Sequence, residues 1–206
     1  MKSKFILIFA AFLSNYATCN KNTTCREILY SFEMKTFVSP QVDSIMINDT
    51  IWFSVSSSTN MQDVISSTFI DYSDAENVGT AFQFLELTDL NNGAADAALF
   101  FEQKTVKGIY TGSINAARDK QYKFIETAGK YELLVGFIPK KLGIYAISIS
   151  NAVNVIKKSS SICAKANINI TIDNGVNQHL YFYQNNRPGY TISDYERSHM
   201  YCFKVK

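Results

Sequence analysis

Pro139-Lys140-Lys141-Leu142-Gly143-Ile144-Tyr145-Ala146-Ile147-Ser148-Ile149-Ser150 is the stretch whose reading decides the fold. The proline stops the strand before it, and from Tyr145 the side chains alternate. Tyr145, Ile147 and Ile149 share one face, while Ala146, Ser148 and Ser150 share the other. A period of two over that length reads as a half-buried strand of an antiparallel sheet. Gly143, two residues ahead of Tyr145, lets the chain turn sharply before the strand starts. A tyrosine so placed can tie the incoming loop through its hydroxyl.

The same alternation recurs on both sides. Tyr131, Leu133, Val135 and Phe137 form an apolar stripe, and residues 121–127 and 130–138 make a hairpin around Ala128-Gly129. Over residues 163–172, Ala164, Ala166, Ile168, Ile170 and Ile172 face inward, and Lys165, Asn167, Asn169 and Thr171 face outward. Ile28, Tyr30, Phe32 and Met34 open the first strand, which Ser39-Pro40 breaks. Residues 42–47 and 50–56 are two further strands joined at Asn48-Asp49, a pair that tolerates positive φ. In the second of them Ile51, Phe53 and Val55 point inward and Trp52 points away. Strands follow at residues 68–72 and 80–87, and a helical turn at residues 94–98 leads into a strand from Leu99. Residues 111–120 and 151–162 read as loops. In the tail, residues 179–183 read as a short aromatic strand. Ser193 and Glu196 fit a capping box that starts a helix from about Asp194 to His199, and Tyr201 to Val205 closes as a last strand.

The totals agree with sheet. Of 206 residues 47% are apolar, with 15 Phe and 12 Tyr against three Pro and a single Trp, so the chain can build a core. The net charge of +2 argues against a nucleic-acid or anionic-membrane partner. Lys140-Lys141 and Lys157-Lys158 read as solvated pairs.

Residues 1–19 read as a signal peptide: a basic start at Lys2 and Lys4, a short apolar run from Phe5 to Leu13, then small polar residues. The run is too short to span a bilayer. Two processing routes stay open, a signal-peptidase cut near Ala17-Thr18-Cys19 and lipidation of Cys19. Residues 20–27 form a short tether, and residues 28–206 a single domain. Of the remaining cysteines, Cys163 and Cys202 are the favoured disulfide pair, with Cys25 left over. No Cys-x-x-Cys is present to suggest zinc.

Catalytic signatures are not apparent. Only His179 and His199 could act as a base, and neither sits by a Gly-x-Ser-x-Gly turn. His199 closes the predicted helix, where a positive charge suits the dipole. Asp71, Asp74 and Glu76 read as a solvated loop, and the 89–93 segment matches a calcium loop only in part. The expectation is a chain that is not an enzyme and carries no cofactor. A binding reading has more to work with. Tyr181, Tyr183, Tyr190, Tyr195 and Tyr201 cluster beside Arg187, and exposed rings with an arginine make a candidate sugar-stacking or protein-binding platform. The competing reading buries the rings as core.

The glycine-then-tyrosine entry to the 145–149 strand resembles the tyrosine corner of immunoglobulin-like sandwiches. Residues 42–52, 136–145, 187–190 and 201–202 are similar to exported immunoglobulin-like proteins of Bacteroidota-type bacteria, many of them lipid-anchored. That resemblance implies a mainly β, immunoglobulin-like antiparallel sandwich with a short C-terminal helix. It also implies an envelope or secreted location. Asp43-Ser44-Ile45 and Asp49-Thr50-Ile51 match the pattern such bacteria O-glycosylate, at Ser44 and Thr50. Asn22, Asn48 and Asn169 stand in N-glycosylation patterns. The expected role is structural or adhesive, through a protein or glycan partner, with the membrane reached only through a lipid on Cys19. The alternative is a carbohydrate-binding domain built on the C-terminal tyrosines.

Overall fold

The computed structural model describes residues 27–88, 93–158 and 164–206. The signal peptide, Cys19, Asn22, Cys25, the 89–92 turn and Cys163 lie outside the described residues. The strands are β1 (Ile28–Ser39), β2 (Ser44–Ile45), β3 (Ile51–Ser58), β4 (Asn60–Gln62), β5 (Phe69–Asp71), β6 (Ala75–Glu76), β7 (Gly79–Leu87) and β8 (Ala94–Asp96). They continue as β9 (Phe101–Lys107), β10 (Ile109–Gly112), β11 (Asp119–Lys123), β12 (Ile125–Thr127), β13 (Lys130–Pro139), β14 (Gly143–Ile149), β15 (Ala152–Lys157) and β16 (Ala164–Ile172). Helices α1 (Tyr181–Asn185) and α2 (Asp194–His199) precede the last strand, β17 (Met200–Val205).

These strands form a β-sandwich. The first sheet runs β12-β13-β3-β1-β16-β15-β6, with β9 also on β13, and the second runs β10-β11-β7-β14-β17-β2, with β8 on β7. Most pairs are antiparallel. β1 with β16 and β2 with β17 are parallel, which local alternation does not encode. The inward rows meet in one aromatic core. Phe53, Phe82, Phe84 and Phe137 lie with ring centroids 4.8–5.7 Å apart, mostly edge to face. Such contacts add to the area they bury.

The deciding strand faces as its pattern requires, with Tyr145, Ile147 and Ile149 buried in the core. The Tyr145 hydroxyl donates to the Lys141 carbonyl at 3.0 Å, closing the corner. Gly143 is needed here for space. A Cβ on it would stand 3.0 Å from the Tyr145 ring and hydroxyl. The opposite face is not open to water, however. Ala146 is 1% exposed, because residues 177–199 fold back over the second sheet. Leu87, Ala146, Tyr183, Ile192, Met200 and Cys202 make a second, smaller core beneath that strap.

Several local expectations are corrected. Residues 179–183 are not a strand: residues 181–185 form α1, with Leu180 and Tyr183 spaced to meet the second sheet from one helical face. A short apolar run satisfies either period, and burial against the sheet selects the helical one. Residues 152–157 are strand, not loop. Asn154 at φ +55° inserts a bulge, so buried Ala152 and Val155 fall three apart and the alternation is hidden. Residues 42–47 keep only the two-residue β2, which joins the second sheet while β3 joins the first. The Asn48-Asp49 turn, with Asn48 at φ +71°, therefore crosses between layers and closes no hairpin. Only residues 125–127 of the predicted 121–127 strand pair with β13 around Ala128-Gly129, since β11 leaves for β7. The helical turn expected at residues 94–98 falls later, at Ala98–Phe100, after β8.

Candidate functional site

Tyr181, Tyr183, Tyr190 and Tyr195 belong to the strap. Tyr183 is buried; its hydroxyl donates to Glu196 at 2.9 Å and accepts from Arg187 Nη1 at 2.6 Å. The Tyr190 hydroxyl donates to the same carboxylate at 2.9 Å, and its ring stands at 78° to Tyr183. The Arg187 guanidinium lies 4.7 and 5.3 Å from these two ring centroids. The capping box forms as expected: the Ser193 hydroxyl accepts from the Glu196 amide, and the Ser193 amide donates to Glu196 Oε2. Burial acts against the Glu196 carboxylate. The Ser193 amide and hydroxyl, with both tyrosine hydroxyls, outweigh it and hold the group below its ordinary range. Burial, and then the carboxylate it faces, push the Tyr183 hydroxyl up.

The remaining rings do not join them in a platform. Tyr195 stacks on His199 at 3.9 Å, Tyr181 sits beside Phe182 at 4.3 Å and donates to Asp43, and Tyr201 lies in the main core. The candidate platform residues Tyr181, Tyr183, Arg187, Tyr190 and Tyr195 are divided among α1, the segment after it and α2. Tyr181 and Tyr183 are two apart in α1, which turns them to different sides where a strand would have aligned them.

His199 is buried at the end of α2. Its Nε2 lies 2.9 Å from Asn151 Oδ1, and its Nδ1 lies 2.8 Å from both the Ser198 hydroxyl and the Tyr195 carbonyl oxygen. Burial pushes it below the ordinary histidine range, so the charge expected for the helix dipole is disfavoured. Burial does the same to His179, against the opposing pull of Asp43. Among the described residues the Cys202 thiol is free; it is buried, and burial pushes it up to about 12. The other half of its expected disulfide, Cys163, is outside the described residues. Ser44 and Thr50, the candidate O-glycosylation positions, are both half-buried.

The outer face of the first sheet is different, for among the described residues no segment folds over it as the strap does over the second. Trp52 and Phe37 stand there with Leu134, Ser54 and Ser56. Trp52 pairs across to Gly136, where a Cβ would lie 2.9 Å from the indole, so the ring rests on bare backbone. Sequence reading turned Trp52 outward but missed the surface it belongs to. The signal was present in the outward residues of β1 and β16.

Further along this face Ser31 and Glu33 of β1 sit level with Asn167 and Asn169 of β16. They floor a depression of about 400 Å³, with Val64 and Val153 on its sides. A second depression of about 470 Å³ shares Glu33 and Val64 with it. A third, of about 530 Å³ where β15 nears β7 and β11, shares Asn151 and Val153. The Val64 side is anchored by Asp63, which accepts from the Ser31 amide at 2.8 Å and from the Ser66 amide and hydroxyl at 2.8 and 2.7 Å. The Ser31 amide first, then the Ser66 hydroxyl, hold Asp63 below the usual carboxylate range.

The architecture defines the class: a β-sandwich with one outer face strapped and one bare. No family model matches the chain, and no curated protein matches it. Among solved structures it is similar to the human F-spondin reeler domain, at 10% identity and a TM-score of 0.33, over 70% of this chain and 88% of that one. It is also similar to a chain of the Coh-OlpA-Doc918 cohesin–dockerin complex from Clostridium thermocellum. There the identity is 12% and the TM-score 0.27, over 67% of this chain and 99% of that one. Likeness this remote says nothing of what the chain binds.

Proposed function

We propose that the chain is a non-catalytic exported module, adhesive or structural, that acts by contact through the outer face of its first sheet. The observation that carries this is the inequality of the two outer faces. One is sealed by a hydrogen-bonded strap with its own small core. The other keeps Phe37 nearly half exposed, at 48%, beside Trp52. Exposed apolar groups collected on one bare sheet face mark an interaction surface. The burial of the candidate catalytic groups, His179, His199 and Cys202, supports the same reading. Among the described residues no helix is long and apolar enough to cross a membrane. In this reading the chain leaves through its first nineteen residues and is either lipid-anchored on Cys19 or freely secreted.

Mass spectrometry of the mature N-terminus from fractionated cells tests location and separates the two forms. The expected product begins at or after Cys19 in the envelope or medium. An uncleaved chain in the cytosol overturns the proposal. Bead-adhesion assays then compare the wild type with Trp52→Ala/Phe37→Ala, whose loss of adhesion with an unchanged circular dichroism spectrum is the expected result.

A further inference from the structure

We propose that the trough on this face binds a neutral oligosaccharide chain, with Glu33, Asn167 and Asn169 as its hydrogen-bonding floor and Val64 and Val153 as its apolar sides. The inference rests on the contact-module reading and names the partner class.

The floor is chemically suited to sugar hydroxyls. Glu33 and Asn169 are level on adjacent strands, as are Ser31 and Asn167. Their side chains carry spare capacity: Glu33, Asn169 and the Ser31 hydroxyl hold no side-chain partner among the described residues, and Asn167 Oδ1 receives one long contact at 3.4 Å from the Asn154 amide. Amides both donate and accept, and a carboxylate accepts twice, which matches vicinal hydroxyls that also do both. Val64 and Val153 are 54% and 60% exposed, open to the C–H faces of sugar rings. The side bearing Val64 is preformed, because Asp63 fixes its loop onto β1 before any ligand arrives.

The same features disfavour other occupants. An added peptide strand needs a free sheet edge. Here β1 and β16 already pair with each other through nine residue pairs, so the surface between them offers side chains and no backbone edge. Phosphates and anionic lipids need Lys or Arg; neither lines the first two depressions, and the third is lined by a single lysine, Lys123. Each depression falls within the ~300–1,000 Å³ common for small-molecule sites. Three in a row suit a chain of repeating units better than one compact ligand.

The test uses the mature chain against an array of neutral cello-, xylo-, manno- and N-acetylglucosamine oligosaccharides, with calorimetric titration of any hit. Saturable binding is expected for at least one series. Glu33→Ala and Asn169→Ala should each weaken it about tenfold, the factor carried by ~1.4 kcal/mol. Both positions are on the surface, so melting temperatures should hold. Tyr181→Ala, on the strap, should bind as the wild type does. The inference is overturned if the folded wild type binds none of these sugars, if neither floor variant weakens binding, or if a basic peptide library is bound in preference. A correctly cleaved, adhesive chain that ignores every sugar sinks this inference alone, whereas a cytosolic uncleaved chain sinks the module reading beneath it.

Discussion

Tyr145→Phe isolates the corner that fixes where β14 begins. The substitution keeps the ring, fully buried against Phe101 at 5.0 Å edge to face, and removes only the hydroxyl. That hydroxyl donates to the Lys141 carbonyl at 3.0 Å, with the Leu142 carbonyl at 3.4 Å. Both acceptors belong to an exposed loop and can take water instead, so no carbonyl is stranded. The loss should therefore sit in the ordinary range for one hydrogen bond, ~0.5–1.5 kcal/mol. For a domain of this size ~1 kcal/mol lowers the melting temperature by about 2–4 °C. Urea unfolding should show a lower midpoint at unchanged slope, and amide exchange should quicken at residues 140–144. Tyr145→Ala removes the ring as well and should cost ~3–5 kcal/mol. If Tyr145→Phe stays within ~0.3 kcal/mol of the wild type and the loop exchanges no faster, the hydroxyl does not hold the corner and the reasoning fails.

Gly136→Val forces branched carbon into the place where Trp52 lies 2.9 Å from a Cβ; a loss of ~1–3 kcal/mol and a changed tryptophan emission are expected, and unaltered emission would count against the packing. Glu196→Ala removes the acceptor of Tyr183, Tyr190 and Ser193, and hydrogen exchange should rise across residues 177–199 while β13 keeps its protection. Stability should fall on acidification below about pH 6.5. Both histidines titrate lower in the fold than in the unfolded chain, which takes up protons first, at up to ~1.4 kcal/mol per group per pH unit. Denaturant midpoints at about pH 7.5 and about pH 5.5 measure this, and His199→Gln should flatten the slope. Lowered carboxylates such as Asp63 and Glu196 add a separate loss as pH falls below about 4. Site-resolved thiol labelling should find Cys202 protected in the native protein and reactive in denaturant; rapid native labelling would contradict its burial.

Where one face meets core and the other meets water or a neighbour's small side chain, period-two reading served well. The rows at Tyr131 to Phe137 and Ala164 to Ile172 are buried as their spacing requires, and the Ser193–Glu196 cap needs no tertiary information. It fell short where something outside the local window decided. Residues 181–185 are helical because a sheet face lies beneath them, and β15 is masked by a bulge. The tyrosine cluster drew notice through composition, but its rings are divided among two helices, the segment between them and β17. The trough passed unseen because Glu33 and Asn169 lie 136 residues apart and become neighbours only through a parallel pairing. Each outward residue, taken alone, looks like ordinary solvated surface.

That parallel pairing also sets a schedule for assembly. Much of β1 must wait for β16, well over a hundred residues downstream, before its last ladder can form. At ~5–20 residues per second of synthesis the delay is roughly 7–27 s. During it, a ribbon carrying Phe32 and Met34 has one flank unclaimed, an invitation to stray strands. Chains cut short before Ala164 should therefore clump, and a holdase or a translocation channel that keeps the nascent chain extended would favour the correct closure.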